Sequence, residues 1–328
     1  MCSALVPLLQ KNFSKAKIYW ITSKSVYEIL KDIKGVEFIV IDKPKNVSDW
    51  LKLRRKLKNY HFDLTLCCQA NLRINTLYPL INSPLKIGFD KKRGHGLHSL
   101  FVNKTIPYRD EHLQDGFLNF IEYVCGKKQE LIGWPIKTKP PALTVATELL
   151  SKLPQSQPII AINPMASKDE RNWPIDHYVK TISLLNQKLK VSFVLTGGPS
   201  KKEIETSESI LKYSSSKDIL NLTGKTSVTE LLAILEKATL LIAPDTGPVH
   251  MARIVNTPVV GLYAVARPQL SGPYGALEHC VDKYPEAVET ILNKNSQSVS
   301  WHTRVHSDKA MKLIQPSDVV ARVLNILE

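Results

Sequence analysis

The sequence predicts an α/β protein of two doubly wound halves, and three observations carry that expectation. Short apolar, strand-like runs alternate with helix-period segments along the chain, the pattern of parallel-sheet α/β units. A length of 328 residues exceeds one ordinary core and suits two domains of roughly 150 residues each. Several turns rich in Gly, Pro and hydroxyl residues follow the strand-like runs, where open α/β sheets bind their ligands.

In the first half AKIYWIT, VEFIVID and FDLTLCCQ read as strands, being short, apolar and rich in β-branched and aromatic residues. Helices are expected at Tyr27 to Lys31, Asp49 to Asn59 and His112 to Cys125. The second alternation has IIAIN, VSFVLTGG, ILNLTG, ATLLIAPD and PVVGLYA as strands. Its helices are Ile175 to Leu189, Lys201 to Tyr213, Ser227 to Lys237 and Val249 to Val255. Ser227 with Glu230 three residues on makes a capping-box pattern ahead of LLAIL. Between the halves, Pro140, Pro141, Pro154 and Pro158 punctuate a polar stretch, which places a domain boundary near Gln155 and divides the chain into 1–155 and 156–328. The tail is expected to end in an amphipathic helix, Ser317 to Leu327, with Val319, Val320, Val323, Leu324 and Leu327 on one face.

Composition bounds the function classes. Hydrophobic content of 43% and charged content of 23% are those of a folded globular chain. No apolar run reaches the ~18 residues needed to span a bilayer, and no cleavable leader is evident, so a cytoplasmic location is expected. Five cysteines without CxxC spacing suggest neither a disulfide framework nor a zinc site. Cys67 and Cys68 read as reduced thiols of a buried strand. The net charge of +14 is uneven: residues 1–155 carry 25 Lys and Arg against 13 Asp and Glu, whereas residues 156–328 carry 19 against 17. A basic first half attracts anionic partners such as a phosphorylated glycolipid or an anionic membrane surface. Nucleic acid is not expected, because no aromatic platforms are interleaved with the basic residues.

Three loops of the second half carry the candidate chemistry. In APDTGPVH a strand stops, turns through Asp245, Thr246 and Gly247, and restarts as a helix with Pro248 and His250 near its first turn. That is a place for free backbone N–H groups to meet an anion. In NPMASKDERNWP, Ser167, Lys168 and Arg171 precede a helix opened near Pro174, and a hydroxyl with two cations suits a diphosphate. In TGGPSKKE, Gly197 and Gly198 allow close backbone approach, and Glu203 can accept hydrogen bonds from a ribose or base. The GxGxxG and GxxxxGK[ST] patterns are absent, as is an Asp-x-Asp pair that would hold a divalent metal on a diphosphate. Leaving-group charge would then be met by Arg171, Lys168, His250 and helix N-termini, so no metal and no other cofactor is expected.

APDTGPVHMA resembles the signature of glycosyltransferase family 9, the ADP-heptose:lipopolysaccharide heptosyltransferases. NPMASKDERNWP, VLTGGPSKKE, the run from NLTGKTSVTELL to GLYA, and RPQLSGPYGALEHCVDKY are similar to family segments in family order. So are QANLRINTLYPLINSPLKIGFDKKR and DEHLQDGFLNF in the first half. The resemblance implies a GT-B architecture of two Rossmann-like domains facing across a cleft, acceptor on the N-terminal one and nucleotide sugar on the C-terminal one. It implies inverting, metal-independent transfer of heptose from ADP-heptose to the inner core of lipopolysaccharide in a Gram-negative cell. It also implies peripheral contact with the cytoplasmic face of the inner membrane. Ser167 and Arg171 match positions contacting the diphosphate, Glu203 lies near the nucleoside position, and Thr226 falls beside the adenine. Asp245, Thr246, Gly247 and His250 match the donor-binding corner, with Lys168 and Gly198 beside them. Arg73, Lys91, Lys92 and Arg93 are candidates for the acidic groups of the acceptor.

The chain departs from the family pattern at its start. Met1 to Leu5 align just after the Gly-Asp loop that follows the first family strand, so the general-base Asp implied by the resemblance would precede Met1. Without that carboxylate, acid–base help of roughly 10²–10⁴-fold would be forfeited. A mis-assigned start codon or a truncated gene is the expected explanation. The alternatives are a catalytically impaired nucleotide-sugar-binding protein of the same fold, or a member using another sugar donor.

Overall fold

The computed structural model describes residues 1–328 except Lys43 and Gly96. The chain forms two compact units, Met1–Ile136 and Lys137–Glu328.

The first unit opens with α1 (Leu5–Asn12), then β1 (Ile18–Ser23), α2 (Lys24–Leu30), β2 (Val36–Ile41) and α3 (Val47–Lys58). It continues with β3 (Leu64–Cys67), the short α4 (Leu72–Asn75), β4 (Leu85–Gly88), β5 (Lys104–Thr105) and α5 (Leu113–Cys125). The expected strands and helices are there, with α1 and α4 in addition, and so are the unexpected β4 and β5. These two strands are short runs without the apolar length that marks a strand in sequence. The described strands make two parallel sheets, β1-β2 and β3-β4-β5. Helix α5 buries Phe117, Leu118, Phe120 and Ile121 against Ile87, Ile106, Leu5 and Leu8. Asn46 caps α3 by accepting from the Asp49 N–H, and Gly126, at φ +71°, ends α5 in the left-handed conformation that glycine adopts without steric penalty. Cys67 is fully buried, which pushes its thiol up to about 12, as expected for a reduced strand thiol.

The second unit begins with a helix the sequence reading treats as linker, α6 (Pro140–Leu150). Pro140 and Pro141 fall in its first turn, where a missing N–H costs nothing, so the prolines that look like punctuation open the helix instead. Ala142, Ala146 and Leu150 pack against Val194, Leu222, Ala233 and Ile234. For that reason the division lies between Ile136 and Lys137, upstream of Gln155.

There follow β6 (Ile159–Ile162), α7 (Ile175–Lys188), β7 (Ser192–Leu195), α8 (Lys201–Tyr213), β8 (Ile219–Asn221) and α9 (Val228–Lys237). Next come β9 (Leu240–Pro244), α10 (Gly247–Ile254), β10 (Val259–Tyr263), the single turn α11 (Pro268–Ser271), β11 (Val281–Asp282), α12 (Tyr284–Leu292) and α13 (Pro316–Leu327). The Ser227–Glu230 capping box is formed in both directions at α9. All six strands are parallel in the order β11-β10-β9-β6-β7-β8.

Alternation across the pleat builds two core layers. Phe193 and Leu195 of β7 face Tyr178, Ile182 and Leu185 of α7 together with Val319, Val320 and Val323 of α13. Val194 points to the other side, under α6 and α9. The tail helix forms as expected, one residue longer at its start. Among the described residues no helix is long and apolar enough to cross a membrane.

Candidate functional site

Parallel strands put all their C-terminal ends at one edge of the sheet. The order β8-β7-β6 runs one way and β9-β10-β11 the other, so the topological switch point falls between β6 and β9, where doubly wound sheets open a ligand crevice. The loop after β6 carries Ser167, Lys168 and Arg171; the turn after β9 carries Asp245, Thr246 and Gly247. Strand order alone therefore makes neighbours of segments far apart in sequence.

Arg171 bridges the switch point. Its guanidinium lies 3.1 Å from the Asp245 carboxylate and donates to the Asp245 carbonyl at 3.4 Å. The two side chains are 24% and 13% exposed, enough to meet a ligand yet shielded from bulk water. Burial pushes the Asp245 carboxyl above its ordinary value, while Arg171, Arg304 and a hydrogen bond from Ser271 pull it back. The Arg171 Nε is buried without a hydrogen-bond partner. The loop is held in shape by Asn172, whose Oδ1 accepts from the Ala166 N–H at 2.8 Å. Ser167 and Lys168 are exposed on it.

Thr246 is the N-cap of α10 but makes no capping hydrogen bond with its side chain, and Pro248 fills an early position. The N-terminal turn of this helix is thus not closed off by its own cap hydroxyl, leaving N–H groups and the positive end of the helix dipole for an anion. Gly247 is exposed, and a Cβ there would meet nothing within 4 Å. His250 is half-buried one turn into the helix.

The glycine loop after β7 sits beside these. Gly224, with φ +73°, donates its N–H to the Gly197 carbonyl at 3.0 Å, joining the loop after β8 to the loop after β7. Thr226 is half-buried on the first of these loops, immediately before the cap of α9. Glu203 turns back on its own loop: Oε1 accepts from the Gly198 N–H at 2.8 Å and Oε2 from the Ser200 hydroxyl. A Cβ on Gly198 would stand 2.9 Å from that carboxylate. Glu203 therefore shapes the glycine loop, with only its remaining lone pairs free to accept from a ribose or base.

In the first unit the basic candidates separate. Arg73 in α4 and Lys91 and Lys92 after β4 are exposed, Lys92 lying 4.5 Å from the centre of the Tyr108 ring. Arg93 is different and its expected acceptor role is corrected. Its side chain is 1% exposed, paired to Asp90 and Glu111, donating to the Pro107 carbonyl and resting over Phe89. A guanidinium that is buried and spends three of its five N–H donors on Asp90, Glu111 and Pro107 is part of the core of its loop and is withdrawn from an acceptor group.

Sequence reasoning missed Ser271 and Arg304, which act on Asp245, and Arg267, which acts on Arg304. Arg267 and Ser271 follow PVVGLYA and carry the same signal, a cation and a hydroxyl after a strand, that marked the other loops. Arg304 has no local signal, because it reaches the corner through the path of the tail.

The model of glycosyltransferase family 9 (heptosyltransferase) matches residues 50–300. The chain is 30% identical over 322 residues to the lipopolysaccharide core heptosyltransferase OpsX of Haemophilus influenzae, covering 98% of this chain and 91% of that protein. The glycosyltransferase family 9 structure from Veillonella parvula superposes with a TM-score of 0.80 at 21% identity, over 99% of this chain and 92% of the other. The Escherichia coli ADP-heptose lps heptosyltransferase II does so with a TM-score of 0.70 at 18% identity, over 99% and 94%. These likenesses carry the GT-B α/β fold expected from the sequence. With its family segments in order and the switch-point corner intact, the chain belongs to glycosyltransferase family 9, the heptosyltransferase family of glycosyltransferases.

Proposed function

We propose that the protein transfers a heptose from ADP-heptose to the inner core of lipopolysaccharide, inverting the anomeric centre and using no metal. The observation that carries the reading is the corner where Arg171 meets Asp245 beside the uncapped first turn of α10. Guanidinium and N–H donors converge there on space suited to a diphosphate. In the reaction the acceptor hydroxyl oxygen bonds to the anomeric carbon, its proton passes to a base, and the sugar–phosphate C–O bond breaks with both electrons staying on the departing ADP. Fixed cations such as Arg171 and the helix terminus meet the charge that grows on the leaving oxygen, which supports the metal-free reading. Thr226, Gly197 and Gly198 flank the adenosine side, and Ser167, Lys168 and His250 the phosphate side. Acceptor binding belongs to the basic first unit, through Arg73, Lys91 and Lys92. Those exposed cations, together with the relatives' lipopolysaccharide acceptors, support peripheral contact with the cytoplasmic face of the inner membrane.

The test is ADP release from ADP-heptose with a deacylated inner-core acceptor, run with and without EDTA. Turnover that survives EDTA supports the reading. ADP binding without turnover would replace it with the nucleotide-sugar-binding alternative, and turnover with a different nucleotide sugar would correct the donor.

A further inference from the structure

The segment between α12 and α13 threads back over the strand ends of the second unit. The Val305 N–H donates to the Val265 carbonyl at 3.0 Å, and the Tyr284 hydroxyl to the Thr303 carbonyl at 3.2 Å. His306 Nδ1 lies 2.8 Å from Glu170 Oε1, and Trp173 Nε1 donates to the Ile314 carbonyl at 3.0 Å. The tail is thus pinned to the loop after β10 on one side and to the loop after β6 on the other. Arg304 lies between these anchors.

Its guanidinium is within electrostatic reach of Asp245, Arg171 and Arg267. Arg171 and Arg304 both act on the one carboxylate of Asp245, which also holds the Ser271 hydroxyl, and Arg267 acts on Arg304. Burial disfavours the charge on Arg304, Asp245 favours it, and Arg171 and Arg267 oppose it. Like charges held this close in a half-buried setting repel, and an anion with two or more charges relieves that repulsion. The buried, unpartnered Nε of Arg171 shows that the cluster does not satisfy itself.

We propose that Arg304, delivered by the tail, is a phosphate-binding residue that works with Arg171 and Arg267 to hold the diphosphate of the nucleotide sugar and the nucleoside diphosphate it releases. The proposal rests on the donor reading of this corner. When the C–O bond to the sugar breaks, the bridging electrons stay on the terminal phosphate oxygen and the diphosphate gains one negative charge. The acceptor oxygen takes the anomeric carbon and its proton passes to a base. Arg304 spends Nη1 on the Thr303 carbonyl at 3.2 Å, and a guanidinium whose remaining donors meet that oxygen favours the later, more charged state, and so speeds departure more than it tightens the nucleotide sugar.

The experiment is calorimetric titration of the full chain and of Arg304→Ala, Arg304→Gln and Arg304→Lys with ADP, AMP, adenosine and inorganic pyrophosphate, with thermal melts alongside. In Arg304→Ala and Arg304→Gln the affinity for ADP and pyrophosphate is expected to fall about tenfold, the worth of one charge-assisted hydrogen bond. The preference for ADP over AMP shrinks, adenosine binding and melting stay unchanged, and Arg304→Lys recovers part of the loss. Equal ADP affinity in wild type and Arg304→Ala overturns the proposal while leaving the donor reading intact. Equal loss of adenosine and ADP binding overturns it in favour of a structural role. If the wild type prefers another nucleoside diphosphate, the adenine reading fails and the Arg304 series, read on that ligand, still decides. Absence of any diphosphate or pyrophosphate binding to the wild type overturns both.

Discussion

Arg171 and Asp245 stand 74 residues apart in the chain and 3.1 Å apart in the fold. One follows β6, the other β9, and adjacency of these two strands at the switch point is what pairs them. The carboxylate orients the guanidinium, while the unpartnered Nε leaves it a donor to spare. Replacing Arg171 by Ala is expected to weaken ADP binding by roughly 10- to 100-fold, the range for one or two charge-assisted hydrogen bonds. Arg171→Lys keeps the charge but loses the fork and falls between. His250→Ala weakens ADP by a smaller factor. Calorimetric affinities unchanged from wild type would remove both residues from the site.

Gly247 separates a folding role from a binding role. It lies in the first turn of α10 with open space where a Cβ would project, so Gly247→Ala meets no clash and gains about 0.5–1 kcal/mol of helix propensity at most. Melting should be equal or slightly higher. Nucleotide affinity should drop, because the methyl occupies the approach to the N-terminal turn. A variant that binds ADP as the wild type does would place the diphosphate elsewhere.

Arg93 and its two neighbours in sequence should behave oppositely. Arg93→Ala leaves Asp90 and Glu111 facing each other without their shared cation, and removing one partner of a buried pair costs about 3–5 kcal/mol. Thermal unfolding of the first unit reports it. The exposed pair Lys91→Ala and Lys92→Ala should leave melting within about 0.5 kcal/mol and raise the KM for the anionic acceptor. An Arg93→Ala protein as stable as wild type would contradict the buried-pair account.

His98 makes the first unit sensitive to acid. Its Nε2 accepts from the Phe89 N–H at 3.1 Å and its Nδ1 bonds Asn75 Oδ1 at 2.7 Å, a pattern that fits the neutral ring, and burial holds its pKa below the ordinary value. The unfolded chain therefore takes up this proton first. The contribution of His98 is fully present above about pH 6.5 and is lost as the pH falls below it. Melting of the wild type should drop more steeply between about pH 7.5 and pH 5 than that of His98→Gln, whose deficit at neutral pH narrows in acid. Parallel pH profiles would show that His98 does not titrate with unfolding.

Local patterns were legible wherever the physics is short-range. Period-2 and period-3.6 spacing located β1 to β3, β6 to β10 and the helices between them, and Ser227 with Glu230 announced the start of α9. The three ligand loops were visible because a strand followed by Gly, Asp or a hydroxyl at a helix start is itself a local signal. Prolines misled at Pro140 and Pro141, where helix initiation and linker punctuation look alike in sequence.

The sequence by itself therefore determined the α/β class, the family and the loops that carry the donor chemistry, since each is written in neighbouring residues. Only the tertiary structure decided which cations remain available for ligand. Arg93 is consumed by Asp90 and Glu111, and Glu203 is turned onto the Gly198 loop. Arg304, silent in sequence, is carried to Asp245 by a tail pinned at Val265 and Glu170. Charge pairing and burial depend on distances in space, and strand order and the path of the chain set those distances.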